Sequence, residues 1–444
     1  MKKKIILIIT LVFAMLFTAC VKGNSKGNEE TAAAEKDGKT VITFWHSMGG
    51  VNGKALDKLV KRYNESQDKY FVKAEFQGEY DDALTKLRAS SAGKEVGADI
   101  VQVFELGARF MIDSGLIVPV QEYIDKDNFD ITKIEPNLAA YYTIDGKLNS
   151  MPFNSSTPLL YYNKDIFEKA GIAEAPKSLE EMMDIADDLK EKGGVEMPIS
   201  MSIYGWWVDQ LMSKQELPVF DNGNGREKNP TKVVFDENGG MENILSMWKD
   251  LADKGVAPNV GKQGGQPEFI SGTSAMTFAS TASLKQILNE VGDSFEVGTA
   301  YFPSVYKTDK GMVSIGGASI YMIDTDDDKR KDASWDFIKF LVSPESQAYW
   351  NAETGYFPIN VDAHNEEVFK ENIKKFPQFE TAIDQLHDSS PESQGGLATV
   401  YQETRQIEEK YVEEVLNGNK TPQEAAKAIA KEVNDALNNY NSSN

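Results

Sequence analysis

The chain has 444 residues, 41% hydrophobic and 26% charged, with 47 basic against 69 acidic side chains. That is the make-up of a soluble globular protein too long for one small core. The net charge of −22 excludes nucleic-acid or anionic-membrane binding by bulk charge, so an anionic ligand has to be held by a local cation.

Residues 1–20, MKKKIILIITLVFAMLFTAC, join a Lys2-Lys3-Lys4 head to an apolar run, Ile5 to Phe17, that is too short to span a bilayer. Residues 1–19 therefore read as an export signal. Cys20 is the only cysteine, so no intramolecular disulfide can form. A lone Cys directly after such a signal resembles a bacterial lipoprotein site, although Phe17 stands where the pattern prefers Leu and Leu16 is one place off. The resemblance implies that the Cys20 thiol is lipidated and tethers the protein to a membrane face. Without residues 1–19 the balance is 44 basic against 69 acidic residues, a net charge of −25. Residues 20–39 lack an apolar period and read as a flexible stalk.

Order begins near Val41. The run Val41-Ile42-Thr43-Phe44-Trp45 reads as a buried strand, and Leu56, Leu59, Val60 and Tyr63 recur as one helix face. Strands at 70–76 and 99–104, with a helix near 80–90 between them, continue the alternation of a mostly parallel α/β sheet. Met151 to Phe167 reads as a crossing from one lobe into another. Asn154, Ser155, Ser156 and Thr157 interrupt its apolar flanks, which places polar groups toward a cleft. Ser178 with Glu181 forms a capping box that opens an acidic amphipathic helix, closed by Gly193-Gly194. Helix 241–254, strand 275–278, the polar turn 279–281 and strand signals at 295–298 and 314–319 follow. Ser343-Pro344 starts a helix. Thr421 with Glu424 caps the last one, whose face is Ile429, Val433 and Leu437.

Catalytic constellations are missing from the sequence. The three His, at 46, 364 and 387, have no metal spacing, and no GxSxG, GxxxxGK[ST] or GxGxxG appears. Asp324-x-Asp326-x-Asp328 starts like a calcium loop, but Lys329 and Trp335 stand where Gly and the bidentate Glu belong. Ser66-x-x-Lys69 lacks the companion motifs of its class. No cofactor, metal or catalytic residue is expected.

Five stretches, Phe44-Trp45-His46-Ser47-Met48, Gln102 to Gly107, Pro152 to Pro158, Ile315 to Ser319 and Thr354 to Pro358, together resemble the extracellular solute-binding proteins of ABC importers. Within that family they are most similar to the branch for glycerol-3-phosphate and glycerophosphodiesters. The resemblance runs from about Val41 to Leu437. It implies a two-lobed periplasmic-binding-protein fold of type II, with three crossings near Ser155, Phe295 and Ser343. The lobes are then 40–154 with 295–343, and 155–294 with 344–444. It implies a monomer that captures a phosphorylated polyol in the cleft and delivers it to permease subunits, with no enzyme activity and no nucleic acid.

The same resemblance implies site residues. Arg405 would bind the phosphate, a role its bidentate fork suits; the residues alone favour a surface pair with Glu408 or Glu409. Ser280 would add a hydroxyl, Gly317 a backbone N–H and Tyr356 a phenol. Glu105, at a strand end, would accept from glycerol hydroxyls and face the polyol, away from the phosphate. Tyr80 and Ser156 are further contacts, and Trp45 and Trp206 are aromatic candidates for the glycerol carbons or for the core. Ile203 takes the place of a family Trp, which would leave room for a diester headgroup such as phosphocholine. An oligosaccharide ligand would instead bring aromatic platforms and carboxylates to the cleft, with Arg405 paired to an acid. A secreted glycerophosphodiester hydrolase would need paired metal ligands, against which the scattered His argue.

Overall fold

The computed structural model describes residues 25–91, 96–390 and 394–443, so the leader and Cys20 lie outside the described residues. The first element corrects the stalk reading. Ser25–Lys36 is a helix, α1, packed on the first two strands, with Ala34 buried. Ala32-Ala33-Ala34 between Glu and Lys residues supplies helix propensity without needing an apolar period.

The alternation then proceeds as the pattern predicts. β1 (Thr40–His46), α2 (Gly50–Ser66), β2 (Tyr70–Phe76), α3 (Tyr80–Ser91) and β3 (Ile100–Phe104) follow in turn. The face of α2 formed by Leu56, Leu59, Val60 and Tyr63 is buried. β4 is the short Ile117–Val118, and α4 is Pro136–Tyr142. β5 (Met151–Ser156) and β6 (Pro158–Asn163) are separated by Thr157 alone. After α5 (Leu179–Asp188) come β7 (Met197–Ser200), α6 (Gly205–Lys214), α7 (Gly240–Asp253), β8 (Ser274–Ser280), β9 (Val297–Tyr301) and β10 (Gly316–Ile323). Helices α8 (Asp328–Leu341), α9 (Pro344–Thr354), α10 (Gln378–Asp388), α11 (Tyr401–Leu416) and α12 (Pro422–Ser443) complete the chain.

The strands make two principal sheets, one per lobe. The larger runs β2-β1-β3-β10-β4, with β5 also paired to β10; β1 is parallel to β2 and β3, whereas β10 is antiparallel to its neighbours. The smaller runs β9-β6-β8-β7. Both predicted capping residues act as such: Ser178 Oγ accepts from Glu181 N at 3.0 Å, and Thr421 and Glu424 exchange bonds of 3.0 and 3.2 Å.

The first crossing falls at Thr157, two residues beyond the expected Ser155, which still pairs with Gly317 in the larger sheet. The second is displaced further. β9 lies beyond Phe295 yet pairs with β6 in the smaller sheet, so the chain changes lobe between residues 302 and 315. The reason is local: Val297-Gly298-Thr299-Ala300 has an edge to pair, whereas Phe302 to Ser314 carries Pro, Ser, Lys and Gly without alternation. Beyond the Ser343 cap, α9 still packs on α2, with Trp350 stacked on Phe153 of β5 at 4.9 Å, and Asn360 bridges to Ile134. Only α10, against β9, returns to the smaller sheet.

Candidate functional site

The ends of both sheets face a cavity of about 880 Å³. Tyr80, Glu105, Ser156 and Gly317 reach it from the larger-sheet lobe, Trp206 and Ser280 from the other, and Tyr356 from the segment after α9. Seven of the nine predicted ligand-binding residues therefore line one space.

The floor is a polar network built by β3 and β5. Gln102 Nε2 donates to Asn154 Oδ1 at 2.7 Å, and Asn154 Nδ2 donates to the Tyr80 hydroxyl at 2.7 Å. Tyr80 itself is stacked on Phe104, 5.0 Å between ring centres. This explains why Asn154 interrupts a buried strand: it holds the site's tyrosine and is not exposed. Gly317 sits at φ +92°, and a Cβ there would lie 2.2 Å from the Asn154 carbonyl oxygen. Ser280 Oγ caps the turn that follows β8 by accepting from Ala282 N at 3.1 Å. Tyr356 is held flat against Trp350, 5.6 Å apart.

Arg405 stands one side chain behind the cavity wall. Its Nε donates to Asp209 Oδ2 at 2.6 Å and its Nη2 lies 2.9 Å from Glu105 Oε1. Tyr401 donates to the other Asp209 oxygen at 2.8 Å. Helices α6 and α11 cross so closely here that a Cβ on Gly205 would lie 2.7 Å from that of Arg405. Burial works against the guanidinium's charge, but Asp209 and Glu105 outweigh it and hold its pKa well above the ordinary value. Burial likewise raises the carboxyls of Glu105 and Asp209, with Arg405 opposing.

Glu105 lines the cavity and is also the ion-pair partner of Arg405, because a buried guanidinium between lobes needs a counterion. Arg405 is buried and is not a surface residue paired to Glu408 or Glu409. Trp45 lies outside the cavity and takes the second of its two readings: half-buried against the core, it donates from Nε1 to Glu75 at 3.0 Å and carries Lys86 over its ring. Trp45→Phe is accordingly expected to leave ligand affinity within about twofold while lowering stability by roughly 0.5–1.5 kcal/mol for the lost bond. Calorimetric titration and thermal melting check the two halves.

Ile203 is buried and the rim beside it is Tyr204, 43% exposed. Tyr204 meets Trp206 and Trp207 edge to face, at 6.2 and 5.4 Å, and the Trp206 indole N–H has no partner among the described residues. Glu409 accepts from Gly205 N at 3.0 Å and pairs with Lys262 at 2.6 Å at the same rim. Sequence reasoning missed Tyr204, Trp207, Glu409 and above all Asp209. An aspartate inside the apolar run Trp206-Trp207-Val208-Asp209-Gln210-Leu211-Met212 was the available signal, since such a charge is buried only with a partner.

A cleft lined from two α/β lobes, with the lobes joined by short crossings, is a solute-binding architecture, and the comparisons agree. Residues 58–378 match the family model of bacterial extracellular solute-binding proteins. The chain belongs to that family. As a solute-binding protein it serves an ABC importer, works outside the cytoplasm and is not an enzyme. It is 32% identical over 412 residues to the sn-glycerol-3-phosphate-binding periplasmic protein UgpB of Salmonella typhimurium, covering 90% of this chain and 93% of that one. To the Escherichia coli K12 protein of the same name it is 31% identical over 414 residues, 91% and 94% of the two chains. Two solved structures share the fold. UgpB from Mycobacterium tuberculosis in complex with glycerophosphocholine superposes with a TM-score of 0.76 at 21% identity, over 91% of this chain and 99% of that one. The cyclic alpha-maltosyl-1,6-maltose binding protein of Arthrobacter globiformis gives 0.74 at 23%, over 90% and 100%.

Proposed function

We propose that this solute-binding protein captures glycerol-3-phosphate or a glycerophosphodiester by closing its two lobes, and that lipidated Cys20 tethers it beside the permease that receives the ligand. The lobes are residues 40–156 with 316–341, and 158–301 with the helices from 378 onward. The observation that carries the reading is Arg405, a buried fork at the junction of the lobes in a chain of net charge −22. Its likeness over nine-tenths of its length to proteins named for glycerol-3-phosphate supports the same ligand class. The phosphate would share Arg405 with Glu105, with Tyr80, Tyr356, Ser156, Ser280, the Gly317 N–H and the free Trp206 N–H as further partners. Binding from both lobes shifts the open–closed balance because contacts are completed only on closure. A cavity of about 880 Å³ is near the upper end for small-molecule sites, and its outer part, under Tyr204 and Glu409, suits the headgroup of a diester.

One observation favours a second reading. Arg405 is paired to two acids, and Tyr204, Trp206 and Trp207 form an aromatic wall, as an oligosaccharide site would have. Titration calorimetry with glycerol-3-phosphate, glycerophosphocholine and maltose separates the two. Saturable heat with either phosphate and none with maltose is expected; binding of maltose alone would replace the phosphate reading with the sugar one.

A further inference from the structure

The junction of the lobes holds one guanidinium among three carboxyls. Arg405 is bound at 2.6 Å to Asp209 and at 2.9 Å to Glu105, so its charge is already balanced without a ligand. Glu408, one turn along α11 from Arg405, is fully buried, and both its oxygens lack a partner among the described residues. An anion that takes up Arg405 adds a further negative charge beside these groups. Like charges packed this closely away from water cannot all remain ionised.

The three carboxyls are not equivalent. Asp209 keeps two donors that face away from the cavity, Arg405 Nε and the Tyr401 hydroxyl. Glu408 faces neither the cavity nor, among the described residues, a donor, and burial, reinforced by Asp209, holds its carboxyl well above its usual range. Glu105 faces the cavity, and its side-chain bond is to Arg405 Nη2, the donor that an incoming anion contests. The other titratable groups acting on Glu105 are Asp209 of α6 and the phenols of Tyr80, Tyr141, Tyr142, Tyr204 and Tyr356. Beyond them, Glu409 is matched by Lys262, and Asp81 accepts from Gln402.

Resting on the organophosphate reading above, we infer that anion capture is coupled to the uptake of one proton, which settles on Glu105 as Arg405 turns to the ligand. The protonated carboxyl then offers the ligand a donor instead of a repelling charge. In sign, Glu105 binds its proton more tightly in the complex than in the free protein. Affinity is therefore greatest below the free-state value and is lost as pH rises toward the bound-state value, by up to about tenfold per pH unit between the two.

The probe is glycerophosphocholine, whose phosphodiester stays a monoanion between about pH 6 and 8, so that any linked proton belongs to the protein. Calorimetric titration of the intact protein in buffers of different ionisation enthalpy counts the protons. The wild type is expected to take up roughly half to one proton per ligand, Glu105→Gln none, and Glu408→Gln as many as the wild type. Binding with no net proton uptake, or undiminished uptake by Glu105→Gln, would overturn the linkage and leave the phosphate reading standing. No heat from glycerophosphocholine, with maltose bound, would overturn both.

Discussion

Replacing Arg405 by alanine is expected to weaken glycerophosphodiester binding by at least about two orders of magnitude, since two charge-assisted bonds are worth roughly 3 kcal/mol or more together. The same change leaves Asp209 and Glu105 buried without their cation, and breaking a buried pair costs about 3–5 kcal/mol. Affinity and folding will thus fall together, and thermal melting must accompany the titration. Arg405→Lys separates the effects. It keeps the charge that Asp209 and Glu105 require but loses the planar fork, so most of the stability should return while the phosphate is held by one donor direction instead of two. A sugar ligand would respond differently. It would survive Arg405→Lys with nearly full affinity, because the guanidinium would then only neutralise the acids around it.

How far the sequence discloses this site follows from what each signal physically is. Periodicity reports burial, so the α2 face and the alternation that builds the larger sheet were legible. So were the cap at Ser178 and the full capping box at Thr421, although Glu181 turns its carboxylate to Lys177 N instead of Ser178 N. Asn154 was legible as an anomaly, because a polar residue in a buried strand needs partners, and Tyr80 and Gln102 prove to be in that network. Pairing across the chain was not legible. Nothing local to Glu105, Asp209 or Arg405 says that they meet, since residues 105, 209 and 405 are brought together only by closing two lobes. The same limit displaced the second crossing: β9 has a strand's alternation, but which sheet it joins depends on β6, more than 130 residues earlier. Trp45 failed for the opposite reason. An aromatic residue at a strand end suits a cleft or the core equally, and the packing of Trp45 on the core, with Glu75 and Lys86 on its outer side, decides for the core.

Gly317→Ala is the substitution expected to damage the site most through the backbone. At φ +92° an alanine is strained by about 1–3 kcal/mol. Its methyl would also sit 2.2 Å from the Asn154 carbonyl oxygen and 3.0 Å from Ser155 Cα, both backbone atoms that no rotamer change can move aside. Overpacking of this kind costs roughly another 1–3 kcal/mol. Relief has to come from β5 moving off β10, and β5 carries Asn154, which holds Tyr80, and Ser156, which lines the cavity one residue before the crossing. Weaker ligand binding is therefore expected along with a lower denaturation midpoint. Gly115→Ala is the matched control: its φ is +64° but nothing lies within 4 Å of the added methyl, so only the conformational strain remains. If chemical denaturation gave both variants the same loss, the close approach of β10 to β5 would not be what glycine is needed for. A larger loss for Gly317→Ala, accompanied by reduced affinity that Gly115→Ala does not share, ties the tight pairing of these two strands to the geometry of the cleft.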